Sequence, residues 1–168
     1  TLEEHRPDLL AEFFGQTTPP SFKEPNEFRE YCNQSRDALL AAFAPGEQRP
    51  ARAVFQVLRG LRFTVVIEND CLPKGVRGGI KWASAKVLIN RTAYTAQSKN
   101  DLEHFQEAAA HELGHLVLHR AALAAGVPET LERDREADEY SRDFLLPRTW
   151  LLRDPLLTGG RPGPAQFC

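Results

Sequence analysis

Hydrophobic positions along the chain fall first at helical spacing, then at strand-like spacing, then at helical spacing again. Between Pro25 and Phe43 the residues Phe28, Tyr31, Cys32, Leu39, Ala42 and Phe43 recur with the period of a helix, and Pro25 suits its first turn. Ala44–Pro50 is a Pro/Gly loop, and residues 51–59 predict a short helix closed by Gly60. Arg62–Glu68 is rich in β-branched and aromatic residues and reads as a strand ended by Asn69–Asp70. Gly78–Trp82 and Lys86–Asn90 predict two more short strands around a hairpin at Ala83–Ala85. After a polar loop over residues 91–100, Asp101 is a good N-cap for a helix from Leu102 to about Ala122. Its stripe of Leu102, Phe105, Ala109, Leu113 and Leu116 predicts a core face. Gly126-Val127-Pro128 breaks the chain, and a second helix is expected from about Glu129 to Leu146, stopped by Pro147. Residues 1–24 read as irregular, 25–153 as one domain with a possible short helix at Thr149–Arg153, and 154–168 as a Gly/Pro-rich tail. Helices plus a small sheet predict an α+β fold.

Composition narrows the function classes. A chain of 168 residues buries roughly 70% of its unfolded surface, so it needs no structural metal, and any metal site is free to serve chemistry. A net charge of −2 gives no general attraction to nucleic acid or anionic membrane. No run of about 18 apolar residues is present to span a bilayer. The opening TLEEHRPDLLAEFFG lacks the basic-then-apolar profile of a signal peptide, so a cytoplasmic location is expected. Cys32, Cys71 and Cys168 form no CxxC pair and read as free thiols.

Chemistry concentrates at His111-Glu112-Leu113-Gly114-His115. Histidines at i and i+4 lie about 40° apart on one helix face, so both rings can converge on one cation. Glu112 lies about 60° further round, beside the ion rather than on it. Two neutral imidazoles and an adjacent carboxylate are what a zinc hydrolase requires, with Glu112 as general base. Gly114 in mid-helix costs about 1 kcal/mol relative to Ala, which predicts a close neighbour. The extended metzincin pattern fails, because Leu118 and Ala121 occupy its Gly and His positions, and a chain without Met has no Met-turn. A carboxylate from the following helix is the expected third ligand. Glu129, Glu132, Asp134, Glu136, Asp138 and Glu139 are available. Glu136 shares a stripe with Glu132, Tyr140 and Asp143, whereas Asp138 is turned away by about 200°. Helical geometry therefore leaves Glu132 or Glu136.

The segment His111–His119 (HELGHLVLH) resembles the ImmA/IrrE family of zincin-like peptidases. The run Glu136–Pro147 (EADEYSRDFLLP) is similar, without a gap, to that family's E-A-N-x-F-A-A-x-L-L-M-P, and Gly79-Ile80 with Val87–Asn90 resemble its small sheet. The resemblance covers roughly residues 50–150. It implies a zincin-like fold: a three-stranded antiparallel or mixed sheet packed against the HExxH helix, a third-ligand helix and an N-terminal helix. It implies Glu136 as third ligand, Zn2+ as cofactor with Mn2+ or another divalent ion as substitutes, and a helix-turn-helix repressor as the protein cleaved. That cleavage would trigger a stress-response or mobile-element programme. A metal-binding module that holds a repressor without cutting it, and a peptidase toxin, are the alternatives. Asp138, Tyr140 and Leu146 stand where the family has Asn, Phe and Met.

Tyr140 and Tyr94 are candidate donors to the oxyanion, and Asp143 is a candidate to orient a ligand histidine. His119, about 12 Å along the axis from His111, is expected to be a packed or hydrogen-bonded histidine. His104 is expected at the surface, and Trp82 and Trp150 in packing roles.

Overall fold

The computed structural model describes residues 9–14, 22–48, 50–93 and 101–145. Within them the chain forms helices α1 (Leu9–Phe14), α2 (Pro25–Phe43) and α3 (Pro50–Gly60), then strands β1 (Thr64–Glu68), β2 (Gly78–Lys81) and β3 (Lys86–Asn90). A 3-10 turn at Arg91–Ala93 follows, then α4 (Asp101–Leu118), α5 (Arg120–Ala124) and α6 (Leu131–Leu145). The fold is α+β, as the periodicities predict. Residues 9–14 depart from the expectation of an irregular N-terminal segment. They form a helix because Leu10 is buried and Phe13 and Phe14 stack on Phe43 and Tyr31 of α2. Tyr94, Leu146, Pro147, Trp150, Thr149–Arg153 and Cys168 lie outside the described residues.

The sheet is mixed, in the order β1-β3-β2. β1 runs parallel to the central β3, and β2 pairs with β3 antiparallel, with Gly78 opposite Ile89 and Lys81 opposite Lys86. Val87 and Ile89 are fully buried and join the core formed by α3 and α4. Of the stripe read from the sequence, Phe105, Ala109, Leu113 and Leu116 are buried, and the Leu102 side chain lies outside the described residues. Trp82 packs its ring 6.2 Å from Phe63, an edge-of-core role.

Two local features shape the surface beside β2. The buried Asn90 at the end of β3 donates from Nδ2 to the carbonyls of Val76 (3.1 Å) and Leu72 (3.4 Å), and Thr92 Oγ1 lies 2.7 Å from its Oδ1. One amide thus holds the loop between β1 and β2 in place. Asn90 also donates its backbone N–H to the Arg77 carbonyl, at 2.9 Å.

The second feature is the crossing of α4 and α6. A Cβ on Gly114 would lie 3.0 Å from the Ala137 carbonyl oxygen and 3.2 Å from Tyr140 Cβ. The mid-helix glycine is therefore the point where α6 lies closest, as its cost in helix propensity implied. Ala137, itself fully buried, is the matching small residue on α6.

Candidate metal centre

The expected single helix to Ala122 is interrupted. α4 stops at Leu118, His119 takes a non-helical conformation (φ −127°, ψ 23°), and α5 starts at Arg120. The chain turns at Gly126, whose φ of 70° suits glycine. Thr130 then accepts the backbone N–H of Arg133 at 3.2 Å, a cap that sets the start of α6 at Leu131. Glu129 is left just before the helix. The Arg133 guanidinium closes back on the Pro128 carbonyl and fixes this corner.

The Gly114–Ala137 crossing then decides which acids meet which histidines. On one flank of Ala137, Asp134 Oδ1 lies 3.0 Å from His111 Nε2, and Asp138 Oδ1 lies 2.7 Å from His111 Nδ1. Glu129 Oε1 approaches His115 Nε2 to 2.5 Å. On the other flank, Glu136 Oε1 meets His119 Nε2 at 3.0 Å. The rings of His111 and His115 stand edge to face, with centroids 4.8 Å apart. Among the described residues, His111, His115, Glu129 and Asp134 bring one ligand atom each within 4.8 Å of all the others. A tetrahedral ion with ligand bonds near 2.1 Å spaces its donors about 3.4 Å apart, so a small contraction seats one.

Electrostatics fit a cation there. His115 Nε2 is buried without a hydrogen bond, although Glu129 Oε1 is close. Two lone-pair-bearing atoms this close need a proton or a metal between them. Burial, together with the neighbouring His111, lowers the His115 pKa to about 3, so its ring is neutral and able to ligate. Burial pushes Glu129 upward, and Asp134 beside it adds to the shift. The carboxylates crowd one another and a cation would relieve them. Asp138 Oδ1 stands beside His111 Nδ1 and Asp134 Oδ1 beside its Nε2, so a ring that donates to Asp138 presents its Nε2 lone pair to the cluster.

Glu112 lies on the same helix with its carboxylate against the edge strand: a Cβ on Gly78 would fall 2.9 Å from Glu112 Oε1. The side chain is buried, and that burial raises its pKa to about 8, with Glu129 and Asp134 contributing. His111, Glu112, Glu129, Asp134 and Asp138 line a cleft of about 980 Å³, whose other wall is Gly75–Gly78. Arg77 and Arg142 are the cations on its walls.

The structure brings together His111, His115 and Glu112 as the sequence predicts, and differs at the acids. Glu136, the third ligand implied by resemblance, faces His119. Glu129 and Asp134 face His115 Nε2 and His111 Nε2 instead, because the early helix break and the late start of α6 carry them there. Glu132, the other geometric candidate, is exposed. Asp138, read as turned away, orients His111, while Asp143 offers its backbone carbonyl to Arg36 Nη1 at 3.2 Å. Tyr140 is only 1% exposed and stacks on Phe144 in the core, away from the cleft walls. Burial raises its phenol above the ordinary range. His119 is hydrogen-bonded, as expected, and His104 lies 4.0 Å from Glu107. The missed signal was Ala137, a small residue able to meet Gly114 and so place acids on both of its flanks. Comparison with family models, with curated proteins and with solved structures gives no match for this chain.

Proposed function

We propose that the chain is a metal-dependent endopeptidase, with Zn2+ as the first candidate ion and Mn2+ or another divalent ion as substitutes. The observation that carries this reading is the convergence of His111 Nε2 and His115 Nε2 with Glu129 and Asp134, one residue away from a buried Glu112 that opens on the same cleft. His111, His115 and one or both of the facing carboxylates would hold the ion; a set of three leaves a coordination position open. A bound divalent ion supplies Lewis-acid polarisation of the scissile carbonyl and makes nearby water more acidic.

The chain's own residues do the rest. Glu112 takes a proton from the attacking water and passes it to the leaving amine. Its raised pKa keeps the proton on the carboxyl near neutrality, and positive charge in the cluster restores the carboxylate. β2 is one of the two outer strands of the sheet and borders the cleft, so an extended peptide can add to its edge and be carried past Glu112. Asp138 holds His111 in the ligating tautomer.

The resemblance supports a finer reading: the substrate is a helix-turn-helix repressor in a bacterial cytoplasm, cut to release a stress-response or mobile-element programme. No helix among the described residues is long and apolar enough to cross a membrane. The test is incubation of the purified protein with the repressor encoded beside its gene, with Zn2+, with a chelator, and as the Glu112→Gln variant. Cleavage that needs the ion and disappears in Glu112→Gln, with metal affinity retained, supports the reading. Repressor release that persists in Glu112→Gln without cleavage replaces it with a metal-binding module that acts by binding.

A further inference from the structure

The candidate metal cluster offers one donor too many. His111 Nε2 faces Asp134 Oδ1 at 3.0 Å, and His115 Nε2 faces Glu129 Oε1 at 2.5 Å, so four side chains converge on one point. Zinc sites closed by four protein ligands are structural, whereas sites that do chemistry keep one position for water. A hydrolase built on this cluster must therefore release one of the four. The histidines lie one turn apart on α4 and are the least exposed members of the group. Release falls to a carboxylate.

The two carboxylates are not equivalent. Asp134 sits in the first turn of α6, with its backbone N–H bonded to the Thr130 carbonyl at 3.0 Å. It lies three residues before Ala137, where α6 presses on Gly114. Its side chain is short, and its backbone is held. Glu129 precedes the helix, is the most exposed of the four and has one more rotatable bond. It also stands on the working side of the cluster. Of the charges acting on the buried Glu112 carboxyl, that of Glu129 comes first and that of Asp134 second. Glu112 and Glu129 line the same cleft. Glu129 therefore occupies the side from which water must reach both the ion and the base. Arg133, seated on the Pro128 carbonyl, exerts its charge on Glu129 and offers the released carboxylate a partner.

We propose that Glu129 is a displaceable fourth ligand: it closes the metal site beside Glu112 while the cleft is empty, and gives up its place to an entering oxygen ligand. His111, His115 and Asp134 keep hold of the ion throughout. This rests on the reading of the cluster as a metal site and adds a regulation to it. The resting protein is latent, and one side chain just ahead of α6 opens it by ligand exchange.

The test follows that exchange at Co2+ through its visible absorption, with acetohydroxamate as the entering probe. With Co2+ saturating, Glu129→Ala should bind acetohydroxamate about tenfold more tightly than wild type, because a position open only a tenth of the time weakens apparent affinity by that fraction. Glu129→Gln, of the same shape without the charge, should fall between the two. Asp134→Ala should show no such gain, and it should lose more Co2+ affinity than Glu129→Ala loses. Equal acetohydroxamate affinity in wild type and Glu129→Ala would overturn the proposal, because the position would not have been closed. A gain confined to Asp134→Ala would overturn it by reversing the two roles. Failure of Glu129→Ala to hold Co2+ would make Glu129 a permanent ligand and overturn it as well. Wild-type protein that binds neither Zn2+ nor Co2+ would instead end the metal reading itself, and the latch with it.

Discussion

Gly78 on the edge strand and Glu112 on α4 touch with no room for a side chain between them: a Cβ at Gly78 would come within 2.9 Å of Glu112 Oε1. The neighbour in the way is the free end of a flexible side chain, so Gly78→Ala has a cheap escape, in which the carboxylate swings aside. The fold and metal affinity should survive, while kcat falls about 10–100-fold, the scale on which a displacement of an ångström at a reacting group is felt. Zn2+ titration beside peptide-cleavage kinetics separates the two effects. A joint collapse of affinity and rate would mean that the glycine supports the ligands and not the base.

Metal binding should be visible as stability. Ligand at 100 times its Kd stabilises a folded protein by about 2.7 kcal/mol, so Zn2+ in that excess should raise Tm by several degrees. His111→Ala and His115→Ala should remove the rise, and Glu129→Ala and Asp134→Ala should reduce it. Glu132→Ala is the control, because that side chain is exposed on the same helix. Thermal melts with and without Zn2+ read all five; a rise unchanged in His115→Ala would place the ion elsewhere.

The metal-free protein should respond to pH through Glu112 in an unusual sense. Its carboxyl moves from 4.5 when unfolded to about 8 when folded, so the native state holds the extra proton between those values. Stability from this group is complete below pH 4.5 and is lost as pH rises toward 8, with a slope of up to about 1.4 kcal/mol per unit. His115 works in the opposite direction, since a pKa depressed from 6.5 to about 3 makes stability fall as pH drops through that range. Urea denaturation at pH 5 and pH 8 should show that Glu112→Gln loses less stability than wild type on going to the higher pH. An identical pH dependence in the two proteins would rule out the buried, protonated carboxyl.

Gly114→Ala sets two effects against each other. Helix propensity favours the alanine by about 1 kcal/mol. The added methyl, however, meets the Ala137 backbone at 3.0–3.1 Å, and backbone yields less readily than a side-chain tip. Overpacking of this kind costs about 1–3 kcal/mol, so the variant should be less stable despite its better helix former. It should also bind Zn2+ more weakly, because displacing α6 moves Asp134. Equilibrium unfolding and chelator competition on the same sample check both, and a gain in stability would show that the helices do not press together here.

Much of this was written in the chain. The helix Pro25–Phe43 and the strand Lys86–Asn90 appear with the bounds that periodicity predicts, because each carries a clean apolar repeat and ends at a strong signal. His111, Glu112 and His115 were legible because their relation is set within a single helix. The carboxylates were not, because their placement depends on how two helices cross. Rotation about α6 alone ranks Glu136 above Asp138, yet both reach histidines once Ala137 sits at the contact. Tyr140 shares the Glu136 stripe in sequence but faces Phe144 in the core. The interruption at His119 carries no glycine or proline, so nothing in the local sequence announced it.

All four residues of the candidate metal cluster fall between His111 and Asp134, inside one helical hairpin closed at Gly126. The partner of the base comes from elsewhere, since Gly78 belongs to the sheet. In the proposed reading the hairpin carries both the candidate ligands and Glu112, and the sheet supplies only the surface against which Glu112 lies. The ligand set draws only on short-range contacts and can assemble before the sheet docks. A cut-down hairpin with a solubilising partner is a natural starting point for a transplantable metal trap, and one that lacks the wall against which water is activated.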